Sequence, residues 1–121
     1  MDKNDIDYVL NVLREATIRW EGRRECLIEN RKKKKIGKYK NGNDIEVYVY
    51  QCAHCKEWFR EDQIEIDHIV EVGPYKGDLL DWTNRLYDRN NLQKLCIKCH
   101  SIKTSKYNAS LRYVRKTDKI L

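Results

Sequence analysis

Two Cys-x-x-Cys pairs, Cys52/Cys55 and Cys96/Cys99, set the strongest constraint on how this chain folds. A two-residue spacer lets both sulfurs of one turn face a single ion, and two such turns complete the tetrahedral shell that Zn²⁺ prefers. The segments around the two pairs must therefore meet in space, although 40 residues separate Cys55 from Cys96. A closed four-thiolate shell leaves no position for water or substrate, so such an ion builds structure. His54, inside the first pair, is expected to be solvated. Cys26, the fifth cysteine, has no partner nearby in sequence and is expected to be a core thiol.

At 121 residues the chain is expected to form one domain of modest buried fraction, 1–121, which a metal would help to hold together. Hydrophobic residues at 40% and charged residues at 36%, with one proline and five glycines, describe a polar globular protein rather than a disordered one. No apolar run approaches membrane-spanning length, and Met1-Asp-Lys-Asn-Asp-Ile lacks the apolar core of a secretory signal. The expectation is a cytoplasmic protein, where paired cysteines hold metal more often than they form disulfides.

The formal charge of +6 favours a polyanionic partner, and four thiolates around one Zn²⁺ would lower it only to +4. Much of the excess sits in Arg31, Lys32, Lys33, Lys34 and Lys35, followed by Lys38 and Lys40. Such a run suits phosphate contact, with a solvated helix end as the plainer reading.

Ile6, Val9, Leu10, Leu13, Thr17 and Trp20 recur at the spacing of one helical face, with Asn4 or Asp5 as N-cap. Helix formers through Lys35 predict a helical region over 4–35 that ends at Gly37. Lys40-Asn-Gly-Asn43 is a turn signal ahead of the alternating stretch Ile45–Tyr50, which predicts a β-hairpin leading into the first cysteine pair. Strands are expected over 63–70 and 92–95, a short helix over 78–88, and a helix running from the second cysteine pair to at least Tyr107. Trp58, Phe59, Tyr75, Trp82 and Tyr87 are expected to pack a small core.

Three residues exceed what a structural zinc site needs: Asp67 and His68 between the cysteine pairs, and His100 directly after the second. The order Asp67-His68, then Asn91-Leu-Gln, then Cys99-His100-x-x-Lys-Thr104 resembles the HNH endonucleases, specifically the zinc-containing phage and homing-type members. The resemblance covers about half the chain, roughly 50–106, and rests on several elements in order.

The resemblance implies an α+β fold with a ββα-metal core over 45–110, a Cys₄ structural zinc site, and preceding N-terminal helices. It also implies a metal-dependent DNA endonuclease encoded by a phage or mobile element. His68 would be the general base, since imidazole titrates near neutral pH. Asp67 and His100 would hold a catalytic divalent cation, Mg²⁺ or Mn²⁺ with other transition metals tolerated. Asn91 would fasten the two strands and orient the base. Adjacent residues of a regular strand face opposite ways, so the strand must end or bend at Asp67 and His68. Glu65, on the same face as Asp67, is a spare carboxylate.

Lys103 and Lys106, one turn apart, are expected to contact phosphates of double-stranded DNA, with Arg85 as a further candidate. Specificity could be lent by a partner protein. The rival reading is a zinc-finger nucleic-acid-binding module without catalysis. The thiols and basic run alone allow it, but it gives no reason for Asp67, His68 and His100.

Overall fold

Asp2 caps the first helix by accepting the Asp5 N–H at 2.9 Å, two to three residues earlier than the sequence suggested, and the helix α1 runs Lys3–Ala16. The computed structural model describes the backbone of residues 1–120 and the side chains of residues 1–113. After α1 a 3₁₀ turn, Thr17–Arg19, leads into α2, Glu21–Ile28. Gly22, in the first turn of α2, leaves room for the Trp20 indole, which a Cβ there would press against. Cys26 is buried on α2, as expected for a core thiol.

The helical region expected to continue through Lys35 stops at Ile28. Asn30 takes a left-handed φ of +60°, and the basic run lies on a strand, β1, Lys32–Lys38. Lysine has no strong preference that excludes a strand, and β1 gains a ladder of backbone hydrogen bonds against β2, Asp44–Gln51. The two strands are antiparallel, with Lys32 opposite Val49 and Lys38 opposite Asp44, and the register shifts between Lys35 and Gly37. Gly37 thus lies inside a strand rather than ending a helix. The Asn-Gly turn closes the hairpin with Gly42 at φ +88°. A short β3, Trp58–Phe59, extends the sheet in the order β1-β2-β3.

A separate two-stranded sheet pairs β4, Ile64–His68, with β5, Leu92–Cys96. Between them lies α3, Leu79–Leu86, capped by the Asp78 side chain on the Asp81 N–H. The last helix, α4, is Ile97–Ile120. The fold is therefore α+β, with N-terminal helices, a β-hairpin and the β4, β5, α4 order that a ββα element requires. No helix among the described residues is long and apolar enough to cross a membrane.

Contacts divide the chain into two units, each assembled from two stretches: Met1–Arg31 with Ile66–Gln93, and Lys32–Glu65 with the chain from Lys94 onward. In the first unit, Leu10 of α1 packs with Trp82 and Leu86 of α3, and Ile6, Leu13, Val72, Tyr75, Leu79 and Tyr87 close around them. The Tyr87 hydroxyl donates to the Leu13 carbonyl at 2.7 Å, and its ring meets Trp20 edge-on. Arg89 binds Glu29 at 2.7 Å, so α2 is held to the turn that precedes β5. In the second unit the hairpin continues into the cysteine pairs, and Val49, Tyr50, Cys52, Leu95 and Cys96 are buried.

Candidate metal centre and active-site residues

The sulfurs of Cys52, Cys55, Cys96 and Cys99 all lie within 4.8 Å of one another. Tetrahedral Zn²⁺ with Zn–S bonds of about 2.3 Å places sulfurs roughly 3.8 Å apart, a spacing compatible with this cluster. The local backbone explains the gathering. At the first pair, the Cys52 N–H donates to the Glu57 carbonyl at 2.9 Å and the Lys56 N–H to the Cys52 carbonyl at 3.0 Å. Lys56 takes φ +65° to complete this tight turn, and the Gln51 side chain donates to its carbonyl. At the second pair, the start of α4 aims the Cys99 N–H at the Cys96 sulfur, 3.4 Å away. The Ala53 N–H donates to the Lys94 carbonyl at 2.7 Å, which ties the first turn to β5.

The thiols differ sharply in acidity. Burial pushes the Cys52 thiol up, but backbone N–H groups of Cys96, Cys55 and His54 outweigh it and bring it down to about 6. Cys99 is pushed up to about 12, first by its hydrogen bond to Cys96 and then by burial, with the Cys52 charge adding to it. One thiolate is thus favoured while Cys55 and Cys99 resist ionising. A divalent cation removes that conflict, because it stabilises all four thiolates together. The cluster could hold Zn²⁺, and His54, exposed on the turn, stands outside it.

β4 ends at His68, so Asp67 and His68 are its last two residues, and their side chains meet different partners. Asp67 accepts the Gln93 amide at 3.2 Å, whereas the His68 Nε2 lies 2.9 Å from the Leu86 carbonyl. A carbonyl only accepts, so Nε2 carries a proton and Nδ1 is the basic nitrogen of neutral His68. Leu86 is the last residue of α3, where carbonyls lack intrahelical partners, and packing of the buried Leu86 and Trp82 fixes its place.

Asn91 holds the chain just beyond His68. Its carbonyl accepts the Ile69 N–H at 2.8 Å, its side-chain oxygen accepts the Val70 N–H at 2.9 Å, and its amide donates to the Val70 carbonyl at 2.9 Å. Arg85, expected at a phosphate, is instead committed internally. It donates to the Val72 and Pro74 carbonyls and pairs with Asp81 at 3.2 Å. Its guanidinium spreads its donors over a segment that Gly73, at φ +74°, allows to turn.

In the second unit, His100 lies in the first turn of α4, and its Nδ1 meets the Glu65 carboxylate. A carboxylate acceptor keeps the proton on Nδ1 and leaves the lone pair on Nε2, the tautomer that a metal-ligating histidine uses. Lys103 is half-buried and Lys106 exposed on the same helix. Lys32, Lys33, Lys34 and Lys35 are exposed along β1.

Sequence reasoning gave no role to Gln93 or to the Leu86 carbonyl and left Glu65 as a spare. Gln93 sits on β5 in the Asn-Leu-Gln stretch, and Glu65, two residues before Asp67, shares its face in the period-two reading of β4. Nothing in sequence marks a backbone carbonyl 18 residues from His68.

A protein of Lactococcus phage SK1 named "Probable HNH endonuclease" is 43% identical to this chain over 56 residues. The match covers 46% of this chain and 55% of the phage protein, so the chain spans about half the length of that relative. No family profile matches the chain. No solved structure matches it either.

Proposed function

We propose that this chain is a metal-dependent DNA endonuclease of the HNH type, encoded by a phage or mobile element and acting on double-stranded DNA in the host cytoplasm. The observation that carries the reading is the His68 Nε2–H bond to the Leu86 carbonyl, which makes Nδ1 the proton acceptor. The phage relative adds support from outside the structure.

Phosphodiester hydrolysis needs a deprotonated water, relief of negative charge on the phosphate, and help for the departing 3′ oxygen. His68 takes the proton of the attacking water onto Nδ1 while the Leu86 carbonyl holds the ring and stabilises the imidazolium through Nε2–H. Asn91 restrains the two residues after His68, which limits the swing of the ring. Asp67, oriented by Gln93, and His100, oriented by Glu65, are the donors for a catalytic Mg²⁺ or Mn²⁺. A carboxylate and an imidazole are donor types that such a cation takes, and each is held by an outer polar partner. Bound there, the cation would act as a Lewis acid on the phosphate and the leaving oxygen, giving 5′-phosphate and 3′-hydroxyl ends. Lys103 and Lys106 contact flanking phosphates, and sequence choice can come from a partner protein.

Cleavage of supercoiled plasmid by zinc-loaded wild type and His68→Ala, in Mg²⁺ or Mn²⁺ with EDTA as control, tests this. Metal-dependent nicking that disappears in His68→Ala is the expected result. DNA binding without cleavage by the wild type would favour the non-catalytic zinc module, which the four thiols and the basic β1 would serve equally.

A further inference from the structure

We propose that the β1–β2 hairpin is a ribbon that enters a groove of duplex DNA and grips the phosphates on both sides of it, a contact surface independent of the residues given to chemistry. The proposal rests on the reading of DNA as the substrate.

Charge points to the partner. Between Arg31 and Gln51 there are seven basic residues and two acidic ones, a net of +5, whereas the whole chain carries +6. Nearly the entire excess is on this one hairpin. All seven residues of β1 are exposed, so the charge is presented rather than packed away.

Register decides the shape of the partner. Lys33 and Lys35 stand opposite Tyr48 and Glu46, whereas Lys32 and Lys34 stand opposite Val49 and Val47. The two-residue period of a strand puts the first pair on one face and the second on the other. Ring contacts hold one lysine of each pair: the Lys33 ammonium lies 5.7 Å from the centre of Tyr48, and that of Lys32 lies 4.7 Å from the centre of Trp58. Lys35 and Lys38 share the single carboxylate of Asp44, each at 3.2 Å. A membrane or a flat acidic protein would meet one face and leave the other pair idle. A groove walled by two phosphate backbones meets both, and the major groove, about 12 Å wide, admits a two-stranded ribbon.

The tip is built before any partner arrives. The Tyr39 N–H donates to the Asn43 carbonyl at 2.8 Å, the Gly42 N–H to the Tyr39 carbonyl at 3.0 Å, and the Asn43 N–H to the Asn41 side chain at 3.0 Å. A turn closed in this way loses little conformational freedom on binding.

The test uses the full zinc-loaded chain without added catalytic cation, and fluorescence anisotropy over a salt series on a duplex and on one of its strands. Lys32→Gln/Lys34→Gln and Lys33→Gln/Lys35→Gln are compared with wild type and with the matching Lys→Arg pairs, after zinc content and melting temperature confirm folding. Each lysine that neutralises a duplex phosphate contributes about 0.9 to the slope of log K against log salt, so either Gln pair should lower it by roughly 1 to 2. The Arg pairs should keep the wild-type slope. Loss confined to one pair would overturn the groove in favour of a flat contact. Unchanged slopes in both pairs, or equal losses on the single strand, would overturn the duplex assignment. Plasmid cleavage in Mn²⁺ is measured alongside. Ribbon-dependent duplex binding without wild-type cleavage would sink the nuclease reading and leave the ribbon standing. Cleavage with ribbon-independent binding would do the reverse.

Discussion

Replacing Asn91 by alanine removes both side-chain bonds to Val70, each 2.9 Å long, and leaves the main-chain bond from Ile69 to residue 91 in place. A protein hydrogen bond contributes a net of about 0.5–1.5 kcal/mol. Both bonds are exposed, so water can partly replace them on Val70, which puts the loss near the lower half of that range, about 1–2 kcal/mol in total. For a chain of this size, each kcal/mol moves the melting temperature by about 4 °C, so Asn91→Ala should melt about 4–8 °C lower by circular dichroism or calorimetry. Asn91→Asp is the sharper probe. It keeps an acceptor for the Val70 N–H but turns a carboxylate towards the Val70 carbonyl, so it should be no more stable than alanine. If Asn91 also steadies His68, kcat for plasmid cleavage should fall by up to about 100-fold at temperatures where the variant is fully folded, since small misplacements of reacting groups carry that penalty. Wild-type melting and wild-type kcat in both variants would refute the reasoning. Lost stability with unchanged kcat would confine Asn91 to a structural part.

Three further outcomes are expected. Cys96→Ser should abolish stoichiometric zinc, measured by elemental analysis, and unfold the second unit, whereas His68→Ala keeps zinc and loses only about 0.5–1.5 kcal/mol with its bond to the Leu86 carbonyl. Full zinc occupancy in Cys96→Ser would remove it from the ligand set. Gly22→Ala forces a methyl group against the Trp20 indole and should lower stability by about 1–3 kcal/mol in denaturant titration, with a change in tryptophan fluorescence. No change would mean that the indole simply moves aside. Glu65→Ala should weaken Mn²⁺ binding about 10–100-fold by calorimetry and shift the ¹⁵N signals of His100 as its ring loses the carboxylate partner. Unchanged affinity and signals would show that the carboxylate does not orient the ring.

Much of this protein was set by local pattern. The cysteine spacing determined where the chain must converge, because a two-residue spacer allows little else for paired thiols. The apolar spacing of Ile6, Leu10 and Leu13 determined α1, Asp78 and Trp82 marked α3, and the motif residues fell on β4, on β5's approach and on α4, in the expected order. These are features a segment carries in its own side chains. Tertiary structure decided the rest. The lysine run reads as a helix end in isolation and becomes a strand because β2 offers it a ladder. Arg85 reads as a phosphate ligand and becomes a brace because α3 brings it against the 72–74 segment. The tautomer of His68 depends on a carbonyl at the end of α3, and the orientation of His100 depends on a glutamate 35 residues earlier. A hydrogen-bond partner distant in sequence has no local signal, since its position exists only once the core has packed.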